Sequence, residues 1–385
     1  MPAWPHFDDD ERAAADAVLG SGRVNYWTGE QGHHFERDFA AWVGVPHAVA
    51  VSNGTVALEI ALRAIGVGPG DEVVVPSATF IATAAAVATC GAIPVVVDVD
   101  RGTRCLTAGT VEPALTARTV AIVVVHLGGF PADMAPILHL ARERGLTVVE
   151  DCAQAHGARR GGRMVGTHGT VAAWSFCQDK IMSTAGEGGA ITTADPDVWR
   201  RCWEYKDHGK NHDAVTDQTH PPGFRWLHDS FGTNARMTEV QAAVGRRQLG
   251  KVDGWVALRR AHAARLTDGL RDLDALRLPA TPPAVEPAFY RYHVELRSER
   301  LAPGWDRDRV VAALVAEGVP ATQGGCSEIQ RERAFRTVRT PPRVLPNAAA
   351  LSRTTLTLPV HHRMSDSDVD DVVAAVRKVL QEAAG

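Results

Sequence analysis

From His47 onward the chain alternates short apolar runs with longer amphipathic ones. His47–Val51, Glu72–Val75, Ile93–Val99, Thr119–Val125 and Leu146–Asp151 read as strands, the last ending in two acids. Between them, Val56–Ile65, Thr79–Cys90, Thr107–Ala117 and Asp133–Arg144 carry apolar residues at helical spacing. Strands that alternate with helices of this length need crossover connections, which give a largely parallel sheet covered on both faces. In such sheets ligands gather at the carboxyl ends of the strands.

The flanking segments follow other patterns. Asp8–Leu19 and His33–Val43 predict helices, broken by a polar and aromatic stretch from Arg23 to Gly29. In that stretch Trp27 is assigned to core packing, and the backbone around Gly29 to a site. The apolar run Val171–Phe176 ends in a glycine-dense turn that leads into a second strand, Ala190–Thr193, and then a helix, Asp195–Tyr205. Lys206–Asp229, with Pro221 and Pro222, is too long for a simple connector and suggests a lid or an interface arm. Met237 to about Leu270 reads as one long helix, interrupted by Gly245, Gly250 and Gly254, that bridges two domains. After the proline-rich break at Leu278–Pro283 come a strand at Tyr292–Arg297, a short one near Val319–Thr322, and helices at Arg307–Glu317 and Ser365–Ala383. The expected division is a large α/β domain over residues 1–250 and a small α+β domain over residues 251–385.

Composition narrows the function classes. Apolar residues at 45% and charged residues at 22% are ordinary globular usage. A net charge of -4 without a basic run gives no reason to expect nucleic acid or membrane binding, so a small molecule is the expected partner. Cys90, Cys105, Cys152, Cys177, Cys202 and Cys326 include no C-x-x-C pair, so neither a disulfide framework nor a zinc site is suggested and no metal is expected. The segment from Met1 to Asp10 lacks a basic region followed by an apolar stretch, and no run of about 18 apolar residues occurs, so a cytoplasmic location is expected.

Candidate chemistry sits after the strands. Lys180 lies in the loop that follows Val171–Phe176; beside low-dielectric walls it loses its charge more easily, and a neutral amine can form an imine with a carbonyl. On spacing alone it is equally a solvated loop charge. Ser52-Asn53-Gly54-Thr55 joins a strand to a helix, with Thr55 at or beside the N-cap. A glycine and a hydroxyl residue there can cradle a phosphate or simply cap the helix.

Six segments together resemble the DegT/DnrJ/EryC1/StrS family of sugar aminotransferases, whose fold is that of the type I pyridoxal phosphate transferases. They are Ser52-Asn53-Gly54-Thr55, Thr79-Phe80-x-Ala82-Thr83, Glu150-Asp151-x-Ala153, Ser175-Phe176 with Lys180, Gly186-Glu187-Gly188-Gly189, and Asn234-x-Arg236-Met237-Thr238-Glu239-x-Gln241-Ala242-Ala243. The resemblance implies pyridoxal 5'-phosphate as cofactor, with pyridoxamine 5'-phosphate in the half-reaction. It implies that Lys180 carries the cofactor and shuttles the proton, and that Asp151 pairs with the pyridine nitrogen. Gly54, Thr55 and Ser175 match phosphate ligands, Phe80 the aromatic stacked on the ring, and Asn234 a residue that reaches the phosphate across a dimer interface. Gln154 stands where family members often have histidine beside the ring; it can donate a hydrogen bond but cannot titrate.

The function so implied is transfer of an amino group from glutamate to a nucleotide-linked keto-deoxysugar, at C4 of a 4-keto-6-deoxyhexose or at C3, by a homodimer with shared sites. Cyclitol aminotransferases and a synthase that aromatises an aminodehydroshikimate keep the same lysine and remain open. A branch that dehydrates sugars has histidine at that position, which Lys180 argues against. A non-catalytic scaffold that holds the cofactor structurally is the remaining alternative.

Overall fold

The computed structural model describes residues 2–217, 219–221, 223–325, 327–338 and 344–384; Met1, Pro222 and Cys326, named above, lie outside them. The chain opens with two helices, α1 (Asp9–Ser21) and α2 (Gln31–Val43), and then enters the predicted alternation. This runs β1 (His47–Val51), α3 (Gly54–Ala64), β2 (Glu72–Pro76), α4 (Ala82–Thr89), β3 (Ile93–Val97), α5 (Ala108–Val111), β4 (Thr119–Val125), α6 (Met134–Arg144) and β5 (Thr147–Asp151). Two short strands, β6 (Arg159–Arg160) and β7 (Arg163–Met164), precede β8 (Val171–Ser175) and β9 (Gly189–Thr193). Seven strands form one sheet in the order β1-β9-β8-β5-β4-β2-β3. Its pairings are parallel except where β9 meets β1 and β8, so β9 runs against the rest.

Both faces of this sheet are buried, and the pleat decides which residues go where. Val73, Val75, Val123 and Val149 pack with the residues of α3 and α4 on one face, while Val74, Ile122, Val124 and Val148 pack with α6 on the other. Aromatic side chains from α2, β8 and the loop after it, Phe35, Phe39, Trp174 and Phe176, fill the second face beneath β8 and β9. Because successive side chains alternate, Glu150 and Asp151 at the end of β5 point to opposite faces.

The rest of the chain comprises α7 (Pro196–Lys206), α8 (His212–Thr216), α9 (Glu239–Leu249), α10 (Val252–Leu270), β10 (Leu276–Arg277), β11 (Val285–Glu286), β12 (Tyr292–Leu296), α11 (Arg307–Ala316), β13 (Thr322–Gln323), α12 (Pro346–Thr354), β14 (Thr355–Leu358) and α13 (Asp366–Ala384). Strands β10, β12, β14 and β13 form an antiparallel sheet that shares a core with α10, α11 and α13. Strand β11 pairs instead with β6, tying this part of the chain back to the loops beside the large sheet.

Several expectations change. The long helix from Met237 is two helices, because Gly250 and Lys251 break it between Leu249 and Val252; Gly245 lies inside the first, where its missing side chain lets Phe35 and Thr184 approach. The helix expected at Thr107–Ala117 shrinks to α5 and a 3-10 turn at Glu112–Ala114, where Pro113 sits near the start of that turn. The helix after β2 starts at Ala82, because Thr79–Phe80 form a turn first. Trp27 is 40% exposed, and the buried aromatic of its segment is Tyr26, which receives the Lys206 ammonium on its ring face. Among the described residues no helix is long and apolar enough to cross a membrane.

Candidate active site

Strand ends converge on a cavity of about 640 Å³ lined by Gly54, Thr55, Phe80, Thr83, Asp151, Gln154, Ser175, Lys180 and Tyr290, among others. Seven of the eight residues singled out from the sequence are therefore together. Asn234 is the exception: it is exposed, its backbone is bridged to Asp207, and it does not line this cavity. Gly29 is elsewhere too. A side chain there would strike the Glu239 carboxylate, which caps the start of α2 through the N–H groups of Gln31 and Gly32. Gly29 lines a separate cavity of about 400 Å³ with Arg23, Asp38 and Arg246; a third, of about 660 Å³, is walled by Trp27, Trp199 and Trp203. Neither has a lysine in its described lining.

Gly189 is what brings the first half of the site together. It starts β9 between Val51, the last residue of β1, and Ser175, the last of β8, and a Cβ on it would lie 2.4 Å from the Asn53 carbonyl oxygen. Asn53 then caps α3, its Oδ1 accepting from the Val56 N–H at 2.9 Å. The cap is thus Asn53 and not Thr55, which occupies the second helical position. Gly54 opens the helix against Ser175, where an added Cβ would approach the serine Cβ to 2.6 Å. Helix-start N–H groups, the Thr55 side chain and the Ser175 hydroxyl so face one small volume, the chemistry of an anion cradle.

Asp151 closes the floor. Its Oδ2 accepts from Thr83 Oγ1 at 2.9 Å and its Oδ1 from the Ala153 N–H at 3.2 Å. Thr83 Oγ1 is in turn 2.8 Å from Thr79 Oγ1, so a hydroxyl from the first turn of α4 and one from the turn before it together fix the carboxylate. No salt-bridge partner meets Asp151 among the described residues, and burial raises its pKa despite these bonds. Glu150, next to it, has the opposite fate. It accepts from His126 Nε2 and from the N–H groups of Gly166, His168 and Gly169, which together outweigh burial and lower its pKa to about 2. His126 Nδ1 accepts from the Ala132 N–H, so Nε2 carries the proton given to Glu150. His126, Glu150 and Cys152 lie close enough to hold a metal, but both Glu150 oxygens are already engaged.

Lys180 stands opposite. The loop that carries it bonds to itself, Lys180 N–H to the Cys177 carbonyl at 3.0 Å and Gln178 N–H to the Gly186 carbonyl at 2.9 Å. Its own carbonyl accepts from Trp4 Nε1 at 2.9 Å. The ammonium lies 3.5 Å from Tyr290 Oη and 3.6 Å from Asp179 Oδ1. Burial presses its pKa down, as expected from low-dielectric walls, but Tyr290 and Asp179 more than reverse that and the net direction is up. The expectation of an easily neutralised lysine is corrected for the protein without cofactor. The sequence assigns no role to Tyr290 or Asp179: the stretch from Tyr290 to His293 follows the family pattern only loosely and lies 110 residues from Lys180, whereas Asp179 is the adjacent charged neighbour.

Gln154 and Phe80 complete the lining. Gln154 Oε1 accepts from the Gly128 N–H at 2.7 Å, which leaves its amide N–H groups for the cavity. Phe80 is 67% exposed, at the rim of the cavity. The residues fit the cofactor that the resemblance implies. A buried carboxylate lacking a cation suits a protonated ring nitrogen, the Gly54–Ser175 cradle suits a phosphate, and an amine stands within the same cavity for a carbonyl.

Comparison with known proteins agrees. A family model described as the DegT/DnrJ/EryC1/StrS aminotransferase family matches residues 5–377. A dTDP-3-amino-3,4,6-trideoxy-alpha-D-glucose transaminase of Streptomyces venezuelae is 38% identical over 98% of this chain and 93% of its own. An L-glutamine:2-deoxy-scyllo-inosose aminotransferase of Streptomyces kanamyceticus is 37% identical over 100% of this chain and 94% of its own. The crystal structure of an aminotransferase from Psychrobacter cryohalolentis superposes with a TM-score of 0.97 at 43% identity, covering 100% of both chains. By this fold, this cavity and these relatives, the chain belongs to the DegT/DnrJ/EryC1/StrS family of aminotransferases.

Proposed function

We propose that the protein is a pyridoxal phosphate-dependent aminotransferase that aminates a nucleotide-linked keto-deoxysugar, at C4 of a 4-keto-6-deoxyhexose, with glutamate as donor. The observation that carries the cofactor assignment is the pairing, in one cavity, of a buried carboxylate without a salt-bridge partner among the described residues with an amine and an anion cradle. Kinship to the Streptomyces venezuelae enzyme, whose name places the amino group at C3, supports a nucleotide-linked deoxysugar as the substrate class and keeps the 3-keto sugar beside the 4-keto one. Kinship to the scyllo-inosose enzyme supports a second reading, amination of a ketocyclitol.

When bound, pyridoxal phosphate supplies an electron-withdrawing ring that acidifies the donor Cα–H. Asp151 holds the proton on the ring nitrogen, and Thr83 keeps the carboxylate aimed. Gly54, Thr55 and Ser175 bind the phosphate, Phe80 covers the ring, and Gln154 turns its amide toward the ring oxygen. Lys180 is the only amine among the described lining residues, so attachment of the cofactor falls to its Nζ. Once free, the same Nζ takes the donor Cα proton and returns a proton to the sugar carbon in the second half. Asn234, exposed at the end of a loop that also exposes Phe224, Trp226 and Phe231, completes the phosphate cradle of a second copy of the chain. Residues 1–250 and 251–385 are proposed as the two domains, divided at the break between α9 and α10.

The test is to bleach the cofactor absorbance of the holoprotein with glutamate, remove the amino acid, and add nucleotide-linked 3- and 4-keto sugars and ketocyclitols one at a time. The original absorbance should return with a 4-keto-6-deoxy nucleotide sugar. Return only with ketocyclitols selects the second reading, and no bleaching by glutamate or glutamine overturns both.

A further inference from the structure

Lys180 is held by two side chains to which no role has been given. Tyr290 donates its hydroxyl proton to Asp179 Oδ2 in a short hydrogen bond, so toward Lys180 its Oη offers lone pairs. Arg291 Nη2 lies 3.1 Å from the same Asp179 oxygen and 3.2 Å from Tyr290 Oη, which favours the ionised carboxylate. The Lys180 Nζ also lies 4.8 Å from the centre of the Tyr290 ring. Two parts of the chain thus meet on one amine, the loop after β8 and the segment leading into β12.

We propose that Tyr290 and Asp179 form a seat for the ammonium of Lys180, positioning the amine and stabilising the charge it gains when it accepts a proton. The inference rests on the reading of Lys180 as the base. In that step the donor Cα–H bond breaks, its electron pair stays with carbon, an N–H bond forms, and neutral Nζ becomes a cation. A charge that develops 3.6 Å from a carboxylate, and within reach of a hydroxyl oxygen whose own proton is committed elsewhere, is met by groups already in place. The other groups around Nζ do not supply this. Asp151 acts from the cavity floor, Cys177 is held as a neutral thiol by burial, and His156 is kept neutral by burial between Trp174 and Phe176. Burial alone would make Lys180 a weaker base; the seat restores its basicity, and its net pKa direction is upward. Tyr290 and Asp179 are therefore positioning residues, not catalytic ones.

The test needs no cofactor turnover. In cofactor-free protein the labelling of Lys180 by acetic anhydride, followed by peptide mass spectrometry across pH, reads the midpoint at which the amine becomes neutral. Wild type is compared with Tyr290→Phe, which keeps the ring, and with Asp179→Asn and Asp179→Glu. The midpoint should fall by about one pH unit or more in Asp179→Asn, so that labelling below it is roughly tenfold faster at fixed pH. It should fall less in Tyr290→Phe and be largely restored in Asp179→Glu. In the holoenzyme kcat should drop about tenfold while KM for the donor changes less than about twofold, as for a group that acts on the proton-transfer step. Midpoints unchanged in Tyr290→Phe and Asp179→Asn, with native circular dichroism, overturn the seat. A shifted midpoint in a protein that aminates no ketone of the panel supports the seat and counts against the proposed function alone.

Discussion

A buried carboxylate without a cation beside it costs a folded chain stability, and Asp151 is one. Its raised pKa means that ionisation is opposed in the folded protein, so the stability it allows at low pH is lost as pH rises from the ordinary aspartate range through its folded value. Asp151→Asn keeps the shape and the Thr83 contact but removes the charge. In cofactor-free protein at pH 7 it should therefore raise unfolding stability, because the charge that burial opposes is gone, measured by urea denaturation. In the holoenzyme the same change should cut turnover by several orders of magnitude and weaken cofactor binding only partly. A variant that is both less stable and fully active would remove Asp151 from the proposed role. Lys180 gives a companion prediction: Lys180→Ala and Lys180→Arg should fold and yet lose turnover, the first lacking the amine and the second carrying a guanidinium that stays charged. Ordinary turnover by Lys180→Ala would end the mechanism.

At the scale of the element, the end of β5 assigns two adjacent acids to two tasks by pointing them to opposite faces. Glu150 fastens the loop after β7 to the sheet through three N–H groups and His126. With its pKa held at about 2, against an ordinary value of 4.5, the stability it adds is present above the ordinary value and is lost as pH falls toward 2. Glu150→Gln should cost about 3 kcal/mol at pH 7 and flatten the fall of stability with acid, which denaturant titrations at pH 3 and pH 7 would read. Such clamps are poorly legible in a sequence. The strand-helix rhythm was plain because Val73–Val75, Ile122–Val124 and Val148–Val149 are apolar on both faces and flanked by polar turns. Gly54, Asp151, Ser175 and Lys180 were legible because each directly follows or ends a strand, where a parallel sheet collects its ligands. What was hidden depended on pairing across distance. The reversed direction of β9 is set by its register with β1 and β8, the break at Gly250 by how α9 and α10 pack, and the Tyr290–Asp179 contact by a loop meeting a segment 111 residues on.

At the scale of the molecule, one proposed site residue is left outside the cavity, and the second subunit is the proposed reason. Asn234 is exposed, and the loop before it shows Phe224, Trp226 and Phe231 to solvent at 80%, 86% and 98%. Large apolar side chains grouped in this way mark an interaction surface. Two-fold symmetry would use one self-complementary interface to complete both cradles, and a cofactor held by two subunits would favour the paired state by mass action. Sedimentation of the cofactor-stripped protein should accordingly show a larger monomer fraction than the holoprotein at equal concentration, and Asn234→Ala should lose cofactor faster on dilution. The decisive measurement mixes two inactive proteins, Lys180→Ala and a cofactor-deficient Asn234 variant, under conditions where subunit exchange is shown by a mass tag. If Asn234 serves the neighbouring site, a mixed dimer collects both lesions in one site and leaves the other intact, so activity should recover toward half that of a wild-type dimer for each mixed dimer formed. If it serves its own site, every site in the mixed dimer carries one lesion. No recovery despite complete exchange would therefore return Asn234 to its own subunit and leave the shared site without support.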